Sequence, residues 1–279
     1  MSRVVVAPLP SLAVDDELPP PVVSPDLYDE DYFSHACGGS EVWRESGGTK
    51  ADGIYPGSLT RARLRPGEVV VDIGTGRGEL LAVAVKMGAA RAVGVEYAPA
   101  AVAMAHRTLA AHAVTERAEV ILADARSIPV DDETADLVTM LDVVEHLSPS
   151  ELAVTLREAR RVMKPGGRIL IHTFPTRTIY DWTYRWQRAL SPRKRRAWPA
   201  QPRNEYELTM HVNEQTVWSL RKALKAAGFR DVKSELGEWV YTSMLPDQRA
   251  GRLYHRLAKV PITPIRALGV SNLWGRATR

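Results

Sequence analysis

Cysteine is nearly absent from the chain, since Cys37 is its single thiol among 279 residues. One thiol excludes an internal disulfide framework and a cysteine-based metal cluster. No uninterrupted apolar run approaches the roughly 20 residues that a membrane-spanning helix needs. The first residues also lack the basic-then-apolar pattern of a secretory signal. These absences predict a soluble, cytoplasmic protein with no transmembrane segment, and the 45% hydrophobic content predicts a sizeable core.

Positive charge is concentrated in one segment. Residues 177–203 carry +7 although the whole chain carries only +4, so the remainder is acidic. A local patch is weak evidence for nucleic-acid binding, which needs a broader basic face, and no nucleic-acid partner is expected. The run 193–196 is interpreted as a solvated surface, with an anionic substrate group or a membrane surface as alternatives. The basic residues are Arg177, Arg185, Arg188, Arg193, Lys194, Arg195, Arg196 and Arg203.

The composition divides the chain into an arm, a cap and a core. Residues 1–25 are proline-rich and predict an irregular arm. Residues 26–60 are rich in aromatics and glycine and predict an N-terminal cap. Residues 61–279 are predicted to form the core, with an insert at 175–212 that is too long for a plain connection. Within the insert, Trp182 and Trp186 share a helix face by their spacing, as core residues or as a wall of an acceptor pocket.

Strands and helices alternate from residue 69 onward, which predicts an α/β fold with a parallel sheet covered on both faces. The segment Lys164-Pro165-Gly166-Gly167 predicts a helix end and a turn before a strand at 168. The predicted strands are 69–73, 91–95, 118–122, 135–140, 168–174, 231–236 and 238–243, and the predicted helices are 78–87, 98–113, 149–163, 214–227 and 247–259.

The most informative segment is the glycine loop in Val-Val-Val-Asp-Ile-Gly-Thr-Gly-Arg-Gly-Glu at residues 69–79. A buried strand, a tight turn and a helix N-terminus predict a cofactor that carries a nucleoside. Acidic residues follow three predicted strands, where ligands of an open parallel sheet bind. Of these, Glu96 has the spacing for ribose hydroxyls, and Asp124 is placed to accept a hydrogen bond from an adenine amino group.

A dinucleotide cofactor is the rival interpretation. The third position of the dinucleotide fingerprint is occupied by Glu79, whose carboxylate is unfavourable beside a pyrophosphate. Asp72, directly before the loop, suits a cationic or amine-bearing ligand. A sulfonium cofactor without phosphate fits both residues, and a nicotinamide reductase is kept as the alternative.

Residues from about 66 to 174 resemble a class I S-adenosylmethionine-dependent methyltransferase. The resemblance rests on Val-Asp-Ile-Gly-Thr-Gly-Arg-Gly, Val-Gly-Val-Glu-Tyr-Ala-Pro, Ala-Asp-Ala-Arg-Ser-Ile-Pro, Ala-Asp-Leu-Val-Thr-Met-Leu-Asp-Val-Val-Glu-His-Leu and Arg-Val-Met-Lys-Pro-Gly-Gly-Arg, in that order. It implies a Rossmann-like, doubly wound, mostly parallel seven-stranded sheet with an antiparallel last strand, for which Leu273 to Thr278 is the candidate. The implied cofactor is S-adenosyl-L-methionine.

The resemblance also implies where the cofactor lies. Gly74 and Gly76 would pass under its methionine part, with Asp72 organising that loop or reaching the amino group. Glu96 would hold the ribose, with Tyr97 flanking the adenine.

Further contacts are implied around the cofactor. Asp124 and Ala125 would read the adenine edge, and Leu141 would line the methionine side together with Asp142. The segment from Tyr28 to Gly48 resembles the cap of some bacterial small-molecule methyltransferases. Tyr32 and Arg44 are its candidates to touch the methionine carboxylate.

Three histidines are candidate catalytic bases for an acceptor hydroxyl or amine. His146 begins the turn after the fourth strand, although Glu145-His146 also suits a helix cap. His172 lies within the fifth strand, where a core position is favoured. His211 closes the insert and is a candidate to face the acceptor. No metal site is expected.

Methyl transfer to an O or N atom of a small molecule, in natural-product or glycoside tailoring, is the function that the sequence predicts. An RNA or other nucleic-acid methyltransferase that uses the basic insert is the alternative. A nicotinamide reductase and a non-catalytic cofactor-binding protein are the other classes considered.

Overall fold

The computed structural model describes residues 18–51, 53–190, 199–239 and 255–279. Its strands are β1 (Val69–Ile73), β2 (Arg91–Glu96), β3 (Ala118–Leu122), β4 (Ala135–Leu141), β5 (Met163–Thr173), β6 (Arg230–Leu236) and β7 (Leu273–Thr278). They form one sheet in the order β3-β2-β1-β4-β5-β7-β6. Strands β1 to β5 pair in parallel, whereas β7 is antiparallel to both β5 and β6. The predicted α/β fold with an antiparallel last strand is confirmed.

Helices cover both faces of this sheet. They are α1 (Ser40–Ser46), α2 (Tyr55–Arg61), α3 (Glu79–Lys86), α4 (Pro99–Ala111), α5 (Pro149–Val162), α6 (Arg185–Leu190), α7 (Glu205–Met210), α8 (Val217–Ala226) and α9 (Thr263–Arg266). A short 3-10 turn spans Pro25–Leu27, and π-helical turns span Tyr32–Ala36 and Ile179–Tyr184. No helix in the described parts of the chain is long and apolar enough to cross a membrane.

The start of α5 shows how local sequence fixes an element. The Ser148 hydroxyl accepts the backbone N–H of Glu151, and the Glu151 carboxylate accepts the N–H of Ser148. This reciprocal capping box, with Pro149 at the first helical position, satisfies donors that a helix start leaves open. The helix then buries Leu152 and Leu156, one turn apart, against the sheet.

Two predicted elements differ from the structure. Strand β5 begins at Met163, so the predicted turn at 164–167 lies within the strand as an irregularity. Met163 pairs with Ala135 and the register then resumes at Arg168. Gly166 relieves the extra residues with a left-handed φ of 78°. The predicted strand at 238–243 is not formed at residues 238 and 239, and the rest of it lies outside the described residues, as does most of 247–259.

The N-terminal segments pack over the carboxyl ends of the strands. Val23, Phe33 and Trp43 form a small core of their own with residues of α4 and α7. The backbone N–H of Val22 donates to Glu151 Oε1 at 2.8 Å, which ties the N-terminal arm to α5. This packing covers the carboxyl ends of the parallel strands, where ligands of open α/β sheets bind.

Gly94 provides a test of the sheet core. A Cβ at this position of β2 would lie 2.6 Å from Thr75 Cγ2 and 2.8 Å from Leu81 Cδ1. We expect Gly94→Ala to lower the unfolding free energy by about 1–3 kcal/mol, as overpacking does. Gly57→Ala, where a Cβ in α2 meets nothing within 4 Å, should leave stability unchanged or higher. Chemical denaturation measures both variants, and equal stability for Gly94→Ala would contradict this packing.

Candidate cofactor and acceptor site

A cavity of about 870 Å³ opens at the carboxyl ends of β1, β2 and β4. Its floor is the glycine loop, and its other walls come from the N-terminal segments, the turns after β2 and β4, and α7. This volume lies within the range of cavities that hold a nucleoside-sized ligand. The cavity-lining residues from the predicted set are Tyr32, Asp72, Gly74, Gly76, Glu96, Tyr97, Asp124, Ala125, Leu141, His146 and His211.

The glycine loop has the backbone that its sequence predicts. Gly74 and Gly76 adopt left-handed φ values of 70° and 54°, which other residues rarely accept. A Cβ on Gly74 would stand 2.5 Å from Val143 Cγ2. A side chain at Gly76 would enter the space above the loop, toward Phe33. Gly74 therefore makes room for the Val143 side chain, whereas Gly76 leaves the backbone open to close approach by a ligand.

Glu96 organises this loop from the end of β2. Its buried carboxylate accepts backbone N–H groups from Gly76, Tyr97 and Ala98 at 2.9–3.0 Å. These bonds fix the turn between β2 and α4 and hold the glycine loop against it. A carboxylate has about four acceptor positions, so three such bonds still leave one for a ribose hydroxyl. Ribose binding by Glu96 stays a prediction.

Asp72 is the second acid under the cavity. It is buried at the end of β1 and accepts a hydrogen bond from the Thr139 hydroxyl at 2.6 Å. Burial raises the pKa of Asp72 to about 7, because water no longer stabilises its charge. In the described residues no cationic side chain pairs with this carboxylate. It is therefore suited to a ligand ammonium group.

Asp124 is engaged by a neighbour. Both of its carboxylate oxygens accept hydrogen bonds from the Arg126 guanidinium, and Oδ1 also accepts the Arg126 backbone N–H. Arg126 donates in addition to the Pro19 carbonyl at 2.8 Å. The carboxylate thus shapes the turn after β3 and holds the arm, and Asp124 borders the cavity with part of its acceptor capacity used.

The cap places Tyr32 in the cavity wall but not Arg44. Arg44 is exposed on α1 and donates to the Ser34 carbonyl at 3.0 Å. The cationic side chain beneath the cap is instead Arg77, which the sequence argument did not select. A contact between Arg44 and the cofactor finds no support in this arrangement.

Arg77 is a buried arginine within the glycine loop. It donates to the carbonyls of Phe33 and Gly38, both at 2.7 Å, and pairs with Glu79 at 3.1 Å. Glu79 also accepts the Tyr55 hydroxyl at 2.9 Å. The opposite charges of Arg77 and Glu79 in the segment Gly-Arg-Gly-Glu could have predicted this ion pair from the sequence. Because Arg77 neutralises Glu79, the carboxylate argues less strongly against a diphosphate than the sequence suggested.

His146 and His211 meet at the other end of the cavity. Their rings make an edge contact with centroids 4.8 Å apart, and the Tyr28 hydroxyl lies 2.8 Å from Nδ1 of His146. Burial, and secondarily the neighbouring His211, lower the pKa of His146 to about 3. His146 is therefore a neutral imidazole at physiological pH. The buried carboxyl of Glu145 lies alongside, bound to the Thr173 hydroxyl, and its pKa is well above the usual range because of burial.

Glu145, His146 and His211 also offer ligand atoms within 4.8 Å of one another. Such a group has the donor types that bind divalent cations, whereas no metal was expected from the sequence. His146 already bonds Tyr28 and Glu145 already bonds Thr173, so both have protein partners without an ion.

His172 does not line the cavity. It is fully buried in β5, where Asn272 Nδ2 donates to Nε2 at 3.0 Å and Nδ1 lies 2.7 Å from Asp142 Oδ1. Because the amide nitrogen is a donor, the ring proton sits on Nδ1 and is donated to Asp142. The favoured core position for His172 agrees with this placement. Its effect on the site is to hold the cavity-facing Asp142, which has a left-handed φ of 55°.

Residues 70–167, about a third of the chain, match a family model described as a methyltransferase domain. The demethylmenaquinone methyltransferase of Thermus thermophilus is 34% identical over 107 residues, which are 38% of this chain and 47% of that protein. The chain spans about a third to a half of the length of the curated relatives it matches.

Solved structures share the fold over a larger part of the chain. One is a chain of the complex between the Haloferax volcanii Trm112 methyltransferase activator and a methyltransferase. Its TM-score is 0.57 at 18% identity, with coverage of 89% of this chain and 96% of that one. Another is the [4+2]-cyclase SpnF, with a TM-score of 0.54, 17% identity and coverage of 81% and 79%. Identities this low show the fold alone.

The chain contains a class I S-adenosylmethionine-dependent methyltransferase domain. The family match covers β1 through the start of β5, and therefore the glycine loop, Glu96 and the turn with His146. The predicted family and its cofactor, S-adenosylmethionine, are confirmed.

The residues of this methyltransferase domain fit that cofactor. Gly76 leaves the loop backbone open on the cavity side, and Asp72 is a buried acid with no cationic partner among the described residues. Glu96 retains an acceptor position beside the loop. The individual contacts stay predictions.

Arg77 should be more important to the methyltransferase domain than Arg44. Arg77→Met would leave Glu79 buried without its partner and release the carbonyls of Phe33 and Gly38. We expect a loss of about 3–5 kcal/mol in unfolding free energy, as for a broken buried pair. Arg44→Met, at an exposed position, should change stability by less than about 0.5 kcal/mol. Chemical denaturation compares the unfolding free energies of the two variants. Equal losses would contradict a stabilising role for the buried Arg77–Glu79 pair.

Asp72 should make the stability of the domain depend on pH. Its pKa is near 7 when folded and near 3.9 when unfolded, so the unfolded chain loses this proton first. As the pH rises from about 4 to about 7, the wild type should therefore lose unfolding free energy relative to Asp72→Asn, by a few kcal/mol in total. Denaturation of both proteins at several pH values measures this difference. A constant difference would mean that Asp72 ionises normally.

Proposed function

We propose that the protein transfers a methyl group from S-adenosylmethionine to an oxygen or nitrogen atom of a small molecule. The observation that carries this proposal is one continuous cavity that joins two chemically distinct ends. The glycine loop, Asp72 and Glu96 lie at one end, and His146 and His211 lie at the other. Donor and acceptor held in one enclosed space have the proximity that displacement at a sulfonium carbon requires.

The first end is assigned to the cofactor. When bound, S-adenosylmethionine supplies an electrophilic methyl group on its sulfonium sulfur. Asp72 is assigned to its ammonium group, because a cationic partner restores the charged form of a buried carboxylate. Glu96 is assigned to the ribose hydroxyls through the acceptor position that its three backbone bonds leave free. Tyr97 and Ala125 then border the adenine.

The second end is assigned to the acceptor. An acceptor O–H or N–H loses its proton as the new bond to carbon forms, and the thioether leaves with the electrons of the broken bond. Neutral His146 is able to take up that proton, and the Tyr28 hydroxyl orients its ring. The negative charge of Asp142 favours the resulting imidazolium, whereas the neighbouring His211 opposes it.

A small, largely apolar acceptor fits this end best. Phe174, Met210 and Trp239 contribute to the wall, and polar groups are concentrated at the histidine pair. The match to a demethylmenaquinone methyltransferase supports a small-molecule acceptor in general. Tailoring of a natural product or glycoside is the more specific form of the proposal.

Three alternatives remain to be distinguished by experiment. An RNA methyltransferase would bind its substrate through a basic surface, and the basic run 193–196 that suggested it lies outside the described residues. A nicotinamide reductase has less support than a methyltransferase, because the family model that matches residues 70–167 is described as a methyltransferase domain. A non-methylating activity is the stronger rival, because the fold also occurs in a protein named as a [4+2]-cyclase.

Calorimetric titration tests the cofactor assignment. The wild type should bind S-adenosylhomocysteine and not NADH. Glu96→Ala should weaken S-adenosylhomocysteine binding by about 1.5–3 kcal/mol, as expected for hydrogen bonds to a charged group. Thr60→Ala, at an exposed site on α2 and away from the cavity, is the control that should bind as the wild type does. Tight NADH binding without S-adenosylhomocysteine binding would refute the assignment.

Methyl transfer itself is tested with S-adenosylmethionine labelled on its methyl group. Label should pass from the cofactor into small organic molecules of a cell extract and depend on His146. Transfer to RNA would support the alternative. Cofactor binding with no transfer to any fraction would favour a non-methylating protein.

A further inference from the structure

Two tryptophans of the insert are exposed to solvent. Trp182 is 62% exposed and Trp186 is 63% exposed, and they lie one turn apart on the helical residues 177–190. Neither lines the cofactor and acceptor cavity. The two interpretations from the sequence, a core position and a wall of the acceptor pocket, are therefore wrong for both residues.

The same helical stretch has a separate buried face. Ile179, Tyr180 and Tyr184 are each no more than 2% exposed. The apolar residues that hold this stretch to the protein are thus already present without the tryptophans. Trp182 and Trp186 form a second apolar face that contacts no core, which is unusual for residues of this size.

The tryptophan face belongs to a segment rich in basic residues. Arg185 lies exposed between the two rings in sequence, and it borders the same shallow groove as Trp182 and Trp186. The one acid of the groove, Asp181, is paired with Arg177 at 2.8 Å and with Arg203 at 3.3 Å. The sequence directly after this stretch adds Arg193, Lys194, Arg195 and Arg196. Exposed indole rings thus occur within a segment of strong positive charge.

We propose that the tryptophan face, Trp182 and Trp186 with Arg185, docks on the surface of a membrane that contains anionic lipids. Tryptophan is favoured at the level of lipid headgroups, where its ring is apolar and its N–H remains solvated. Clustered arginine and lysine side chains are attracted to the negative potential of anionic lipids. A shallow apolar insertion combined with that attraction is how peripheral proteins bind without spanning the bilayer.

The docking face lies one helix away from the acceptor end of the cavity. On the buried side of the same stretch, the Tyr180 hydroxyl donates to Glu207 Oε1 at 2.7 Å. Glu207 belongs to α7, which supplies Tyr206, Met210 and His211 to the cavity wall. Membrane docking would thus bring the acceptor end close to the lipid surface. It is an additional property that does not depend on the proposed methyl transfer.

Vesicle sedimentation with the full chain tests the proposal. Vesicles of phosphatidylcholine mixed with anionic phosphatidylglycerol should pull down the wild type, and phosphatidylcholine alone should bind it far less. The double variant Trp182→Ala, Trp186→Ala should lose at least about tenfold in partitioning to anionic vesicles. Added salt should weaken wild-type binding, because it screens the arginine attraction.

Trp218→Ala is the matched control. Trp218 is 54% exposed on α8, outside the basic segment, so its removal should leave vesicle binding unchanged. The circular dichroism spectrum and the affinity for S-adenosylhomocysteine should be the same in the wild type, the double variant and the control, since none of the three tryptophans lines the cavity. Equal vesicle binding by the double variant and the wild type would overturn the proposal. Wild-type binding to RNA with none to anionic vesicles would overturn it as well.

Discussion

The buried ion pair between Arg77 and Glu79 is the interaction on which the site depends. Arg77 lies inside the glycine loop, yet its remaining donors go to carbonyls of the N-terminal segment, at Phe33 and Gly38. The glycine loop and the N-terminal segment over it are therefore held together by one guanidinium. Burying an arginine is costly unless its donors are used, and here a carboxylate and two carbonyls accept four hydrogen bonds from Arg77.

The sheet provides the rigid base for this arrangement. Parallel strands bring Asp72, Glu96 and the turn after β4 to one edge, and α3 and α4 begin there. Glu96 and Asp124 each have a structural task, because Glu96 fixes the turn before α4 and Asp124 closes a turn with Arg126. The same groups face the cavity, so structural and binding roles are combined in single side chains. At the acceptor end, His172 continues this pattern by holding Asp142 from inside β5.

Most of the sheet was predictable because its signals are local. Apolar runs mark β1 and β2, Ser148 and Pro149 mark the start of α5, and glycines mark the loop. The start of β5 was predicted at residue 168 because residues 164–167 have the sequence of a turn, whereas the strand already begins at Met163, which pairs with Ala135 of β4. The exposure of Trp182 and Trp186 was not predictable either, since the same helical spacing describes a buried and an exposed face.

The sequence by itself determined the fold class, the cofactor loop and the identity of the acids beside it. These follow from residue spacing, since a strand, a tight turn and a helix start need particular residues in a fixed order. The tertiary structure alone decided that Arg77 rather than Arg44 lies under the cap, and that His146 meets His211 while His172 is held in the core. Those outcomes depend on contacts between residues far apart in the chain. Burial and partners, which set the charge state of a side chain, exist only after these segments pack together.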